Sequence, residues 1–207
     1  MGPKGDRVHH AYNSRRPVLK ILFILLLGSA FMTFAGARTA AAQDSPGNIT
    51  LFADPAASSC SITDQTEGPF TVYVLHVNMS GFAGSDFKVT ESGGFLATYV
   101  SETVETLNHV GDFRSGINLA YGTCVDGPLF LGTITYQGHG TSQPCSYLDV
   151  VPWRFPWVDT QDCNFQSFSA PPLGKLYVNP QPGQCQPWCT VATEQTTWGG
   201  VRALYRN

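Results

Sequence analysis

The sequence predicts an all-β fold: an antiparallel β-sandwich, followed by a Cys/Pro-rich C-terminal segment and one short terminal helix. Three observations carry this reading. Short runs of β-branched and aromatic residues recur at fairly regular intervals, bounded by Gly, Pro, Asn and Asp. Charged residues make up only 13% of the 207, while 21 Gly and 14 Pro supply turns, a composition unlike that of a helical bundle or a disordered tail. No helical stretch of normal length appears before the end of the chain.

Residues 1–42 read as a secretory signal. Arg15, Arg16 and Lys20 form a basic region, residues 21–35 are an uncharged apolar run, and Ala40-Ala41-Ala42 offers small residues to a peptidase. Arg38 closes the apolar run at about 17 residues, the bottom of the range that spans a bilayer. Cleavage is therefore expected just before Gln43. Ser14-Arg15-Arg16-Pro17-Val18-Leu19-Lys20 is similar to a twin-arginine export signal, although the hydrophobicity that follows favours the general route.

Residues 43–179 are read as the sandwich. Residues 48–53 form a first strand, ended by Asp54-Pro55. Residues 70–77 give the strongest strand signal, apolar on both faces and hence central. Residues 85–90 alternate, with Phe87 and Val89 on one face, and Gly93-Gly94 marks a turn before a strand at 95–100. Residues 101–109 are ambiguous: Val100, Val104 and Leu107 have helical spacing, but the Thr content favours extended chain. Strands follow at 117–121 and 129–136, separated by a turn region at 122–128, and Gly132 suggests a bulge or a close backbone approach. Residues 147–151 and 175–178 complete the set. From Pro180 to the end, a Pro- and Cys-rich linker leads to a helix at 196–205, with Trp198, Val201 and Leu204 on one stripe.

Beyond residue 42, six Lys and Arg face fourteen Asp and Glu, a net charge of −8 with His neutral. No basic face can be assembled from so few cations, which excludes nucleic acid as a natural partner. Six cysteines, Cys60, Cys124, Cys145, Cys163, Cys185 and Cys189, all follow the signal. In an oxidising compartment an even count reads as three disulfides. Of fifteen pairings, the set Cys185–Cys189, Cys145–Cys163 and Cys60–Cys124 is plausible. Zinc is the weaker reading, because only Cys185 and Cys189 have ligand spacing and no second close pair exists.

Several segments together carry a resemblance: residues 48–53 followed by Cys60, then 71–78, 85–89, 111–122 and 127–136, and the ending Thr197-Trp198-Gly199-Gly200-Val201-Arg202-Ala203-Leu204-Tyr205-Arg206. This pattern resembles exported proteins of uncultured Gram-negative bacteria, a group with no known activity to transfer. The chain also resembles cohesin-type and related carbohydrate-module sandwiches, in which a strand like 71–78 leads through a Gly-containing turn to one like 86–89, then to a Gly-led strand like 131–136. That likeness implies a fold and no site residues. The cysteine content departs from it, and no dockerin-like partner motif accompanies it.

Trp153-Arg154-Phe155-Pro156-Trp157 is the candidate ligand site. In extended chain Trp153, Phe155 and Trp157 share a face about 6–7 Å apart, a row that could stack on sugar rings or simply fill a core. Asp159, Asp162 and Asn164 could offer oxygens to calcium, but their spacing reads better as a polar turn. His139 sits in a Gly-flanked turn with no visible partner, and His76 lies in the central strand. Glu102 and Glu105 share a face only if their segment is helical. No nucleophile elbow, His-Glu-x-x-His motif or phosphate loop occurs, and no cofactor is implied.

These readings favour a secreted or periplasmic non-catalytic binding or structural module. Its partner would be a glycan or a cell-surface protein, and the membrane is met only through the signal segment before cleavage. The rival is a secreted glycan hydrolase with Asp159, Asp162, Glu102 or Glu105 as acids.

Overall fold

A computed structural model describes residues 45–106, 108–171, 174–185 and 187. Eleven strands and no helix occur among the described residues: β1 (Ser45–Phe52), β2 (Ser61–Ile62), β3 (Glu67–Glu91), β4 (Thr98–Val104), β5 (Asn108–Asp112), β6 (Gly116–Asp126), β7 (Leu129–His139), β8 (Ser146–Val151), β9 (Val158–Asp162), β10 (Ser167–Ala170) and β11 (Leu176–Val178). The all-β sandwich predicted from composition and strand spacing is the observed fold.

β3 is its spine. One edge of β3 pairs with β7 and then β6, and the other with β1, then β9, then β8, all antiparallel. β4 pairs with β7, β5 with β6, β10 with β9 and β11 with β8, while β2 lies parallel to β11. A straight strand of 25 residues would run about 80 Å, far beyond a domain of this size, whose radius of gyration is about 15 Å. β3 must therefore bend. It does so where its partners change: Asn78 and Gly81 take positive φ, 57° and 76°, and the register with β6 shifts between Ser80 and Gly84. The segments 70–77 and 85–90, read as two strands, are thus two arms of one bent strand.

Bending turns the apolar faces of both arms inward. Leu51, Phe52, Val74, Phe87, Phe113 and Ile134 are among the fully buried side chains. Each such residue contributes roughly 1.5–3 kcal/mol through burial. The expected bulge at Gly132 is present. The register slips between Val74 and Leu75, and a Cβ on Gly132 would sit 2.1 Å from the Thr103 carbonyl.

Several sequence expectations need correction. Of the ambiguous residues 101–109, the first four end β4 and the last two begin β5. Gly122 is not in a turn: residues 121–124 bulge out of β6 opposite Ala83, and the turn proper comes after Asp126. The sequence reading places no strand at β2, β9 or β10.

None of the expected disulfide pairings is found. Cys124 bonds Cys163 and Cys145 bonds Cys185, with Cα separations of 5.5 and 5.7 Å. Strand register explains both. Val125 sits opposite Phe82 on one edge of β3, while on the other edge the Cys163 N–H donates to the Gly81 carbonyl at 3.0 Å. Cys124 and Cys163 therefore meet across the bend. Cys145 donates its N–H to the Asn179 carbonyl at 3.2 Å, which brings it beside the segment holding Cys185. Closeness in sequence, which suggested Cys145–Cys163 and Cys185–Cys189, decides neither. Cys60 is also disulfide-bonded, and no described cysteine is free. Cys189, the signal segment 1–42 and the helix at 196–205 lie outside the described residues.

Candidate functional site

The candidate site is extruded from the sheet. Between the pairs Lys88↔Val151 and Asp86↔Asp159, β3 contributes Phe87 alone, whereas the opposite side contributes residues 152–158. β8 and β9 are in effect one partner of β3, interrupted by a long loop. Pro152 and Pro156 explain the interruption, since neither has an N–H for the ladder. The segment is bend-rich rather than extended, so the three aromatic residues do not line up in one row.

Two of them do come together. Phe155 and Trp157 lie with ring centroids 6.2 Å apart and planes 24° from parallel, and they remain 37% and 39% exposed. Trp153 is separate and half-buried. Its ring lies flat against Gly116, where a Cβ would approach within 2.3 Å, so only glycine fits there. Arg154, which in an extended chain would point away from the rings, lays its guanidinium over Trp153, 4.7 Å from the ring centre.

Beneath this loop the strand register builds a polar row. Asn118 of β6, Asp86 of β3, Asp159 of β9 and Ser169 of β10 are successive cross-strand partners. Asp86 and Asp159 are fully buried, and like charges directly opposite each other are destabilising unless each is paired. Both are paired, and mainly by the loop. Asp86 forms an ion pair with Arg154, whose Nε donates at 2.6 Å, and it also accepts from Asn118 Nδ2 at 3.3 Å. Asp159 accepts from Trp157 Nε1 at 3.1 Å and from Ser167 Oγ at 3.2 Å. The carboxylates hold the loop, and the loop makes the carboxylates tolerable. Sequence reasoning missed Asp86 and Gly116. The one available signal was an acid inside an otherwise strand-forming run, at 85–90.

The remaining candidates have structural employment. Asp162 accepts the backbone N–H groups of Asn164 and Gln166 at 2.8 and 2.7 Å, closing the β9–β10 turn, so the polar-turn reading fits Asp162 and Asn164, whereas Asp159 lies inside strand β9. Glu102, half-buried on β4, accepts from the Phe113 N–H at 3.1 Å. Burial pushes its carboxyl up, with Asp112 adding to the rise and the Phe113 N–H opposing it. Glu105 is exposed just beyond β4. His139 bonds Thr98 Oγ1 at 2.9 Å. His76 is wholly buried: Nε2–H donates to the Pro46 carbonyl, leaving Nδ1 to accept from the Tyr121 hydroxyl, both at 2.8 Å. Burial pushes this imidazole down to about 4, against the pull of the Pro46 carbonyl. No cluster of three potential metal ligands occurs among the described residues. A separate cavity of about 500 Å³, lined by Ala53, Ile62, Phe70 and Tyr73 among others, contains no acid–base pair.

No family model and no curated protein matches the chain. The chain is similar to solved cohesin domains. A type II cohesin domain from the cellulosome of Acetivibrio cellulolyticus shares 10% identity over 64% of this chain and 94% of its own, with a TM-score of 0.47. A Clostridium thermocellum type I cohesin, solved in complex with a dockerin, shares 12% over 63% and 97%, TM-score 0.46. The cohesin module of a Clostridium perfringens family 33 glycoside hydrolase shares 7% over 65% and 98%, TM-score 0.47. These are likenesses of fold.

Proposed function

We propose that this chain is an exported, disulfide-stapled, non-catalytic binding module that meets its partner through the 152–158 loop. One observation carries the reading: Phe155 and Trp157 stand outside the core, yet they belong to a loop fixed by two buried carboxylates. A core ring would be buried, and an idle surface ring would have no such anchorage. Rings already ordered lose little further entropy on binding, so their contact area converts efficiently into affinity. The signal layout of residues 1–42 and the oxidised cysteines support export, to the periplasm, the cell surface or the medium.

The test is co-sedimentation of the exported protein with host cell-envelope material, beside a Phe155→Ala/Trp157→Ala variant. Wild type should be retained and the variant released; equal retention overturns the reading. Amino-terminal sequencing of the exported protein should begin at Gln43. A secreted glycan hydrolase is the alternative, favoured by Asp86 and Asp159 facing each other beneath the rings. Both acids are buried and already hydrogen-bonded to protein donors, which leaves neither free to meet substrate. Catalytic turnover abolished by Asp159→Asn would establish the hydrolase instead.

A further inference from the structure

We infer that the loop recognises an uncharged, hydroxyl-rich pyranose glycan. This rests on the binding-module reading and adds the chemistry of the ligand.

The exposed surface of the loop offers two things. One is the stacked pair of rings Phe155 and Trp157, each a little over a third exposed. The indole N–H of Trp157 is turned inward to Asp159, so Trp157 contributes its face and not a polar edge. The other is the outer edge of Arg154, whose side chain is 50% exposed. Its Nε and one terminal nitrogen are committed to Asp86, and the other terminal nitrogen has no protein partner among the described residues. The guanidinium thus presents N–H donors whose charge Asp86 already balances. A complementary ligand has an apolar C–H face to lie on the rings and oxygen acceptors for the guanidinium edge, which describes a pyranose.

Charge and size decide against the other occupants. The chain beyond residue 42 carries −8, and the one cation of the loop is neutralised, so polyuronates and phosphate-bearing ligands meet net repulsion. Fully covered aromatic rings bury 150–250 Å² each. Exposed by little more than a third, the pair offers on the order of 150 Å², against the ~800 Å² per partner of a stable protein interface. A short sugar segment is the ligand that fits.

Affinity electrophoresis of the exported protein tests this, in gels containing xyloglucan, galactomannan, hydroxyethylcellulose or polygalacturonate. At least one neutral polymer should retard the wild type, by an amount that changes less than about twofold between low and high salt. Phe155→Ala/Trp157→Ala, checked by its thermal midpoint to be folded, should weaken that retardation about tenfold or more. Preferential retardation by polygalacturonate that vanishes in salt overturns the inference. So does the absence of retardation by every neutral polymer. If ring-dependent binding to envelope material persists in that case and is destroyed by protease treatment of the envelope, a protein is the partner and the binding-module reading survives alone.

Discussion

Two buried aspartate networks tie this fold together, and they differ in what they hold. Asp64 accepts the N–H of Gly140 at 2.9 Å and of Ser142 at 3.3 Å. Asn179 completes the knot: its Oδ1 accepts the Asp64 N–H, and its Nδ2 donates to the carbonyls of Asp64 and Ser142. Apart from the Ser142 hydroxyl, the groups secured there are backbone, from the segment after β2 and the β7–β8 connection, with Asn179 at the end of β11 tying them. The Asp86/Asp159 clamp instead secures the side chains Arg154 and Trp157, and through them rings that reach solvent. Each network has its own disulfide, Cys145–Cys185 near the knot and Cys124–Cys163 flanking the clamp. Polar burial in the first region supports the sandwich; in the second it displays a surface.

Breaking the knot should have the largest effect on stability. Asp64→Ala leaves the N–H groups of Gly140 and Ser142 without their acceptor, the first partly and the second fully buried. A loss of about 4 kcal/mol is expected in urea unfolding. A loss below about 1 kcal/mol would mean that the knot is not structural.

Removing the disulfide beside the clamp, with Cys124→Ser/Cys163→Ser, comes next. The bridge spans 39 residues, for which loop-closure entropy gives about 3–4 kcal/mol. Hydrogen exchange should show protection lost first in β9 and the β6 bulge, with the knot still closed. Peptide mapping without reduction should recover the linked pairs Cys124–Cys163 and Cys145–Cys185.

Acid should separate the buried imidazole of His76 from the Asp64 knot along the pH axis. His76 has a folded pKa pushed down to about 4, against 6.5 in the unfolded chain. The unfolded state therefore binds the extra proton as pH falls. Stability is complete above 6.5, declines by roughly 3 kcal/mol between 6.5 and about 4, and then stops declining on this account. His76→Gln should flatten that part of the profile. Burial alone would raise the Asp64 carboxyl, but hydrogen bonds from Ser142 and Gly140, with His139 nearby, hold it below its ordinary 3.8. Its contribution is present above 3.8 and is lost only as pH falls below that value. A single acid transition unaffected by His76→Gln would contradict this order.

Weakening the clamp should be milder. Asp159→Asn keeps an acceptor for the Trp157 N–H and removes one of two facing charges, so a change of about 1 kcal/mol is expected. Binding to envelope material should fall by more than that change in stability explains, because the ring pair loses its fixed position. Unaltered binding would show that Asp159 does not position the rings.

The sequence made the arms of β3 legible, because residues 70–77 are apolar on both faces and Phe87 and Val89 alternate. Gly132 announced its bulge for a local reason, the approach of another backbone. What stayed hidden depends on register between distant segments. Nothing near Asp86 reveals that Asp159 lies opposite it. Val158-Asp159-Thr160-Gln161-Asp162 reads as a polar loop, yet it is a largely buried strand, because its acids and threonine find partners only after folding. The disulfides were unreadable for the same reason: Cys124 and Cys163 meet over a bend in β3 that no spacing rule encodes. The aromatic run was visible, but its division into an exposed pair and a ring packed on Gly116 was not.

The most direct measurement is equilibrium unfolding of Phe155→Ala/Trp157→Ala, paired with envelope binding by the same preparation. The account predicts a stability loss of about 1–2 kcal/mol, because Trp157→Ala takes the indole N–H from buried Asp159, together with loss of binding. A stability loss of about 3–5 kcal/mol per ring, the size expected for rings that fill a core, would contradict it, as would binding that persists.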